Sequence, residues 1–292
     1  MYTISNNYIK AQFLPKGAEL CSLMAQNHQT EYIWQCSAWP KHSPILFPIV
    51  GALRGGIYKY EHAEYALGRH GFARDLDFDV VSHEVDKITF ELVFNDATLK
   101  IYPFRFKLTI AYSLIENSLT VDYLVENLDD VEMPFSIGAH PAFNVPLDKE
   151  LQFEDYRLTI HLDESVSLPI KQYALTDEGL TKQEGTPFLT AYQNEIPLRY
   201  DLFAHDAIVL KEIHHAQITI NSSNSEKSVM VTFKDSPYLG IWNKYGSNFV
   251  CIEPWHGITD RENADQHIAK KEGIILLSPL EKWTGGYTIA IK

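Results

Sequence analysis

Short alternating runs of strand-forming residues dominate this chain and constrain its fold more than any other feature. Turn-like clusters separate the runs, and no long amphipathic helix pattern connects them. Many short strands with little helix between them indicate an antiparallel sandwich or barrel rather than βαβ units. We therefore expect an all-β fold, a large antiparallel β-sandwich with few short helices. The runs are TISNNYIKAQFL, KITFELVFN, RFKLTIAYSLI, SLTVDYLVEN, AIVLKEI, AQITINSS and SVMVTFK.

One hairpin can be placed from the pattern alone. Residues 106–114 and 119–126 alternate as two strands, and residues 115–118 form the turn between them. Short helical pieces are expected around 172–180 and 262–268, although neither pattern is strong.

The segment 161–200 is the most loop-like part of the chain, with scattered charge, prolines and glycines. We expect it to be a long excursion from the sandwich. No linker, repeat or low-complexity tract marks a boundary, so residues 1–292 are predicted to form a single domain.

Charge and cysteine content narrow the class of protein. The 25 Lys and Arg against 38 Asp and Glu give a net charge of −13, which argues against binding to nucleic acid or to an anionic membrane. Cys21, Cys36 and Cys251 form no CxxC pattern, which favours a reducing compartment. Neither a signal peptide nor an apolar run of ~18 residues is evident. A soluble, cytoplasmic protein, monomer or homodimer, is expected.

A carboxylate at the end of an apolar strand is the main candidate for chemistry. Residues 249–252 are strand formers, and they lead to Glu253 and a Pro-Trp-His-Gly turn. Burying a carboxylate is costly unless it is paired or has a function. A second strand within 135–146 leads in the same way to His140 before a proline. The two strand ends predict an acid/base pair that faces one cleft.

Two glycine-containing segments add cationic and imidazole side chains. Residues 46–58 pass from an apolar strand into a Gly-rich loop that carries Arg54. Residues 69–75 place His70 and Arg74 in one turn. Arg54 is equally explained as a solvated turn residue, and His70 with Arg74 as part of a structural ion network.

Asp206 and Trp242 are weaker candidates. Trp242 is as well explained by core packing as by stacking on a sugar, and His140 by a hydrogen-bonded core histidine. The 12 His include no HExxH, HxH or Cys/His group with the spacing of metal ligands. P-loop, GxGxxG and GxSxG motifs are also absent. A site without metal or cofactor is expected.

Three ordered motifs resemble the aldose 1-epimerase (galactose mutarotase) superfamily, and most closely its LacX-like branch. They are HGFARD at 70–75, GAHPAFN at 138–144 and CIEPWHG at 251–257. The resemblance extends from the N-terminal strand to LSPLEKWTGGYTI at 277–289. It implies a large β-sandwich with an open cleft that binds a free hexose and needs no cofactor.

The resemblance also implies roles for individual residues. In this family a glutamate is the general base on the anomeric hydroxyl and a histidine protonates the ring oxygen, which corresponds to Glu253 and His140. His70 matches a second pocket histidine that hydrogen-bonds the sugar. Asp206 lies where the family places a carboxylate that holds sugar hydroxyls, in a weaker motif.

One position departs from the family pattern. Relatives carry an arginine directly after the glycine of FPIVG, whereas this chain has Ala52. Either Arg54 or Arg74 is then expected to supply the cation, and the change affects substrate preference more than catalysis.

The resulting prediction is a hexose 1-epimerase, an isomerase whose partner is a small sugar. A hexose 6-phosphate epimerase is an alternative, with Arg54, Arg69 and Arg74 as a possible cationic set. A non-catalytic sugar-binding or regulatory protein is another, because sandwich folds host both. Glycoside hydrolysis is disfavoured because no second carboxylate has a comparable strand-end position.

Overall fold

Two large antiparallel sheets form the body of the protein. The computed structural model describes residues 1–164, 166–190, 194–233 and 235–292. A nine-stranded and an eight-stranded sheet account for most of the strands, which confirms the predicted all-β sandwich. Among the described residues, no helix has the length and apolar character to cross a membrane.

The described residues form 24 strands, in chain order β1 Tyr2–Ser5, β2 Ile9–Phe13, β3 Leu20–Ala25, β4 Ile45–Leu46, β5 Ile57–Tyr60, β6 Ala63–Ala66, β7 Asp79–His83, β8 Lys87–Val93, β9 Phe106–Ile115, β10 Ser118–Asn127, β11 Met133–Phe135, β12 Ile137–Ala139, β13 Ala142–Asn144, β14 Arg157–His161, β15 Ile170–Tyr173, β16 Thr186–Leu189, β17 Glu195–Pro197, β18 Ile208–Lys211, β19 Gln217–Asn221, β20 Val229–Phe233, β21 Tyr238–Trp242, β22 Phe249–His256, β23 Ile275–Leu277 and β24 Lys282–Ile291. One short α-helix, α1 (Asp96–Leu99), is capped by the Asn95 side chain. Five 3₁₀ turns cover Arg54–Gly56, Ala73–Asp75, Phe153–Asp155, Tyr200–Phe203 and Ile268–Lys270.

Strand order separates the two large sheets. The nine-stranded sheet runs β17-β14-β19-β20-β24-β10-β9-β8-β7. The eight-stranded sheet runs β16-β15-β18-β21-β22-β12-β4, with β13 paired to β22 beside β12. Strands β1 to β3 form a small sheet, while β5 with β6 and β11 with β23 form two-stranded ladders.

The predicted hairpin of β9 and β10 is confirmed, with a tighter turn than expected. Ile115 already pairs with Ser118, so only Glu116 and Asn117 connect the strands. Every second residue of β9 is buried, from Phe106 to Leu114. This period of two is the reason that the segment forms a half-buried strand.

One continuous apolar cluster joins the facing surfaces of both large sheets. It includes Leu108 and Ile110 from β9 and Val250 and Ile252 from β22. Side chains alternate between the two faces of a strand, so the intervening residues of β22 point away from this core. The outer face of the eight-stranded sheet is therefore free to carry a site.

Two local predictions are wrong. Residues 172–180 form the end of β15 and turns, and residues 262–268 form turns before the 3₁₀ segment Ile268–Lys270. Their apolar residues do not recur with the 3.6-residue period of a helical face. The 161–200 excursion is not only a loop, because β15, β16 and β17 add edge strands to the two sheets. Residues 165 and 191–193 of that segment lie outside the described part.

Candidate active site

Glu253 lies in the middle of a central strand rather than at a strand end. β22 continues through Pro254 to His256, and every residue of the strand is buried. The predicted Pro-Trp-His-Gly turn is therefore wrong, and the chain turns only after His256. Proline lacks the N–H that a strand interior normally needs for its ladder. Pro254 is tolerated because it lies beside the break between β12 and β13, where the neighbouring ladder is interrupted and no N–H is needed.

Strand register brings His140 opposite Glu253. Gly138 pairs with Trp255, and Ala142 pairs with Cys251 on the far side of the break. His140 lies midway between these two pairs, so its side chain and that of Glu253 are cross-strand neighbours on one face. His140 Nε2 is 3.4 Å from Glu253 Oε2. The predicted acid and histidine thus lie side by side.

The same face of the sheet continues on the other side of β22. Gly240 pairs with Glu253 and also with Val209 of β18. A Cβ at Gly240 would be 2.4 Å from the ring of Trp255, so the absence of a side chain makes room for the indole. Trp255 is buried as part of the floor, whereas Trp242 is partly exposed at the side of the cavity.

Burial shifts the proton affinities of the pair in opposite directions. Desolvation raises the pKa of Glu253 well above its ordinary value, and the nearby Asp206 carboxylate raises it further. Desolvation lowers the pKa of His140 to about 3, with a smaller contribution from Arg74 and Arg69. Glu253 Oε2 and His140 Nδ1 are buried and lack a hydrogen-bond partner among the described residues. Both groups are therefore held without the compensation that a purely structural pair requires.

Aromatic rings fix the orientation of the His140 imidazole. Trp39 stacks on it with ring centroids 5.0 Å apart and an interplanar angle of 27°. Trp242 and His70 contact it edge-on, at centroid distances of 5.6 Å and 5.7 Å. Trp39 lies in a turn outside any strand, and the sequence analysis missed it. A lone Trp before a proline gave no periodic signal that could have found it.

A backbone hydrogen bond selects the tautomer of His70. The Gly51 N–H donates to His70 Nδ1 at 3.1 Å, so Nδ1 accepts and the proton of the neutral ring lies on Nε2. Burial, His140 and the neighbouring arginines lower the pKa of His70 well below its usual range. His70 is therefore a neutral imidazole whose Nε2–H is available as a hydrogen-bond donor at the cavity.

Two arginines and one carboxylate form the polar side of the cavity. Arg69 Nη1 is 3.6 Å from Asp206 Oδ2, and both side chains are partly exposed. Arg74 Nη2 donates to the Arg69 carbonyl, while its buried Nε lacks a hydrogen-bond partner among the described residues and lies 3.7 Å from Asp75. The ion pair expected for a structural network is present, yet the guanidinium of Arg74 also lines the cavity.

Arg54 is not brought to the cavity. Its side chain is exposed, and Nη1 donates to the Ala264 carbonyl at 2.9 Å. It lies in a 3₁₀ turn directed toward residues 264–266. Of the two arginines predicted to replace the one missing at Ala52, the structure places only Arg74 beside His140 and Glu253. Arg69 joins it.

The loop after β22 holds the segment that orients His70. Thr259 Oγ1 accepts from the Ala52 N–H at 2.9 Å and donates to the Gly179 carbonyl at 2.7 Å. Asp260 is buried against the Lys271 ammonium at 2.8 Å and also accepts the Arg54 backbone N–H. These contacts fix residues 51–52, so the Gly51 N–H stays directed at the imidazole.

The groups around His140 and Glu253 line one cavity of about 180 Å³ above the outer face of the eight-stranded sheet. Four of the predicted site residues, His70, Arg74, Asp206 and Trp242, meet there with the buried pair, and Arg54 does not. The described residues that line the cavity are Trp39, Gly51, Arg69, His70, Arg74, His140, Leu175, Gly179, Asp206, Ala207, Val209, Trp242, Glu253, Trp255 and Thr259. Nothing in the sequence indicated that residues 175–179 and 259 line the cavity. These turn residues reach it because of the path of the folded backbone, which no motif marks.

One group of potential metal ligands lies next to the cavity. Nitrogen, sulfur and oxygen ligand atoms of His140, Cys251 and Glu253 lie within 4.8 Å of one another. No sequence motif indicated this group, because His140 lies between β12 and β13, far in the chain from the other two residues on β22.

The fold and the site together define an antiparallel sandwich protein with a cavity in which a buried carboxylate and an imidazole lie side by side. Comparison with known families is more specific. The family model described as aldose 1-epimerase matches residues 1–272. The chain belongs to the aldose 1-epimerase family, as the three motifs predict.

Individual relatives extend over nearly the whole chain. Protein LacX (plasmid) of Lactococcus lactis subsp. lactis is 35% identical over 99% of this chain and 98% of its own length. The crystal structure of a galactose mutarotase related enzyme from Lactobacillus acidophilus superposes with a TM-score of 0.93 at 35% identity, covering 100% of this chain and 97% of that one. A putative glucose-6-phosphate 1-epimerase of Salmonella typhimurium is 28% identical over 91% of this chain and 86% of its own.

Proposed function

We propose that the protein interconverts the α and β anomers of a free hexose, with Glu253 and His140 as the acid/base pair. The observation that carries the proposal is the buried carboxylate and imidazole, 3.4 Å apart, at the floor of a cavity lined with hydrogen-bonding side chains. Mutarotation requires one proton to leave the O1 hydroxyl and another to reach the ring oxygen O5. Two adjacent groups that can each accept or donate a proton suit this exchange.

The reaction moves a single proton across the pair by way of the sugar. In ring opening, the Glu253 carboxylate takes the O1 proton while protonated His140 donates to O5, and the C1–O5 bond breaks as the C1 carbonyl forms. Glu253 is then protonated and His140 neutral. Rotation about C1–C2 and the reverse transfers close the ring on the other face. The pKa shifts of the pair favour the neutral form, which is the one required for ring closure.

The surrounding residues hold the sugar. His70 Nε2–H is a donor to a hydroxyl, and Asp206 is an acceptor because its carboxylate is only partly satisfied by Arg69 at 3.6 Å. Trp242 supplies a partly exposed apolar surface beside His140, which suits the C–H face of a pyranose.

Removal of either proton-transfer group tests the assignment. We expect Glu253→Gln and His140→Asn each to lower kcat/KM by roughly 10²–10⁴-fold, the usual contribution of a general acid or base. Polarimetry of fresh α-D-glucose and α-D-galactose measures the rate above spontaneous mutarotation. Glu150→Gln and His62→Asn, both on exposed residues, are the matched controls.

Circular dichroism must show that each variant is folded. If both variants kept the wild-type rate, the assignment of the pair would be wrong. Calorimetric sugar binding by the wild type without any acceleration would instead favour a binding protein.

A hexose 6-phosphate is the second candidate substrate, because Arg69 and Arg74 both line the cavity. The relative named as a putative glucose-6-phosphate 1-epimerase points in the same direction. The Asp206 carboxylate opposes it, since a phosphate dianion near Arg69 would also approach this negative charge. We keep the free sugar as the leading proposal because Arg69 is already paired with Asp206 and Arg74 lies 3.7 Å from Asp75, so neither arginine is free of a carboxylate.

Anomer exchange measured by NMR for glucose and for glucose 6-phosphate decides between the two substrates. We expect kcat/KM to be at least about tenfold higher for glucose, a difference of about 1.4 kcal/mol. A preference for the phosphate, lost in Arg69→Gln and Arg74→Gln but kept in Arg54→Gln, would assign the site to the phosphorylated sugar.

A further inference from the structure

We propose that His140, Cys251 and Glu253 form a binding site for Zn²⁺ that inhibits the protein. Cys251 and Glu253 are two residues apart on β22, so their side chains lie on the same face of the strand. His140 stands opposite Glu253 on that face. Their ligand atoms lie within 4.8 Å of one another.

The geometry of the three groups suits a tetrahedral ion. Zn–N and Zn–O bonds of about 2.0–2.2 Å place neighbouring ligand atoms about 3.4 Å apart. The distance from His140 Nε2 to Glu253 Oε2 is 3.4 Å, so this edge of the tetrahedron already has the required length. Cys251 Sγ lies within 4.8 Å of the other two ligand atoms, and a Zn–S bond of about 2.3 Å requires roughly 3.6 Å, so Sγ has to approach by at most about 1 Å to take the third corner. The fourth corner is left for water.

The donor set selects the metal. Thiolate, imidazole and carboxylate together are typical of Zn²⁺, whereas Mg²⁺ and Ca²⁺ prefer oxygen ligands alone. Glu253 is 1% exposed, and its Oε2 has no hydrogen-bond partner among the described residues. A cation at this point would satisfy that oxygen. Binding displaces the S–H proton of Cys251 and the carboxyl proton of Glu253, and both protons are released to solvent.

Bound Zn²⁺ should inhibit mutarotation because it occupies the lone pairs of Glu253 and His140 that proton transfer requires. With Zn²⁺ bound, neither Glu253 nor His140 can exchange a proton with O1 or O5. This consequence depends on the proposed function, whereas metal binding itself does not. Cys251 is fully buried behind Trp242 and Phe249 and does not line the cavity, so it has no part in the proton transfers proposed above.

Cobalt binding tests the site without any activity. Co²⁺ added to the reduced, chelator-treated protein should give a thiolate-to-cobalt charge-transfer band in the near ultraviolet, and one equivalent of Zn²⁺ should remove it. Cys36→Ser, which removes the exposed thiol, should keep the band, and Cys251→Ser should lose it. A band of equal intensity in Cys251→Ser would overturn the proposal, as would no band in the wild type.

Zn²⁺ inhibition of mutarotation is the second measurement, taken relative to the metal-free rate of each variant. The Zn²⁺ concentration for half inhibition should rise at least ~100-fold in Cys251→Ser, because loss of a direct ligand exceeds the 10–100-fold cost of losing an outer-shell partner. Equal inhibition of Cys251→Ser and wild type would contradict the site. A cobalt band in a protein without epimerase activity would uphold the metal site and reject the proposed function instead.

Discussion

Glu253 is a buried carboxylate whose ionised form destabilises the folded protein. A carboxylate that is 1% exposed, with one oxygen unpartnered among the described residues, opposes folding when it is ionised. Sites of this kind persist where function requires them. The stability cost should therefore depend on pH.

The sign of that dependence follows from the raised pKa. Below about pH 4.5, the ordinary value, Glu253 is protonated in both the folded and the unfolded protein. Above it the unfolded chain loses the proton that the folded protein retains, so stability declines as pH rises through the folded pKa. Glu253→Gln removes this titration while keeping the shape of the side chain.

We expect Glu253→Gln to be more stable than wild type by about 1–2 kcal/mol near pH 7, the scale of stabilising substitutions at active sites. The difference should shrink toward pH 4.5. Urea denaturation at a series of pH values measures it, and Glu150→Gln on the surface should show no such trend. A variant less stable than wild type at every pH would show that the carboxylate is structurally satisfied.

His140 illustrates why the identity of a residue does not define its environment. The sequence placed it before a proline at the end of a short strand, and this was correct. The two tryptophans that confine its ring, Trp39 and Trp242, come from a turn and from another strand. Nothing local to His140 encodes either contact.

At the scale of elements, β22 separates the core from the site. Val250 and Ile252 pack into the main apolar cluster, while Cys251 and Trp255 belong to apolar clusters that include the outer-face residues Trp242 and Val209. Because this alternation has a period of two, a shift of register by one residue would bury Ile252 in the cavity and place Glu253 in the core. The large free-energy cost of such a slip fixes the register.

The loop after β22 should tolerate little change. Gly51 has φ +74°, and a Cβ there would be 2.3 Å from the Thr259 Cβ, so the two segments are in direct contact. Thr259 Oγ1 links the Ala52 N–H to the Gly179 carbonyl in a buried setting.

We expect Thr259→Val to lower the free energy of unfolding by about 1–3 kcal/mol, because it leaves buried polar groups without this partner. Thermal or urea denaturation provides the measurement. Thr284→Val, the same change on an exposed position of β24, should stay within about 0.5 kcal/mol. Equal effects of the two substitutions would mean that the Thr259 hydroxyl does not hold the loop.

At the scale of the whole molecule, the sandwich supplies a rigid floor and the loops supply the polar contacts. Glu253 stands on β22, and His140 lies in the two-residue break between β12 and β13, held by the paired strands on both sides, whereas Asp206, Arg69 and Arg74 come from other connecting segments. This division is favourable for a site, since strands position the reacting groups more exactly than loops do. Substrate preference is then expected to follow the loop residues, and the chemistry to follow the strands.

The strand pattern predicted the fold class because alternation is a local property that each segment carries by itself. The helices predicted for 172–180 and 262–268 were wrong because the few apolar residues there do not recur with the 3.6-residue period of a helical face. Glu253 could be identified as a carboxylate in an apolar strand, which requires either an ionic partner or a chemical function. The motifs around His70, His140 and Glu253 indicated the family.

Only the tertiary structure decided which side chains meet. The pairing of β22 with β12 and β13 places His140 beside Glu253, and the folded loops bring Trp39, Arg69 and Asp206 over the same face while leaving Arg54 outside. Amino-acid sequence by itself determined the residue types, the faces of the strands and the family. The contacts, the burial and the opposed pKa shifts of the pair depend on register between distant strands, which packing of the shared core selects.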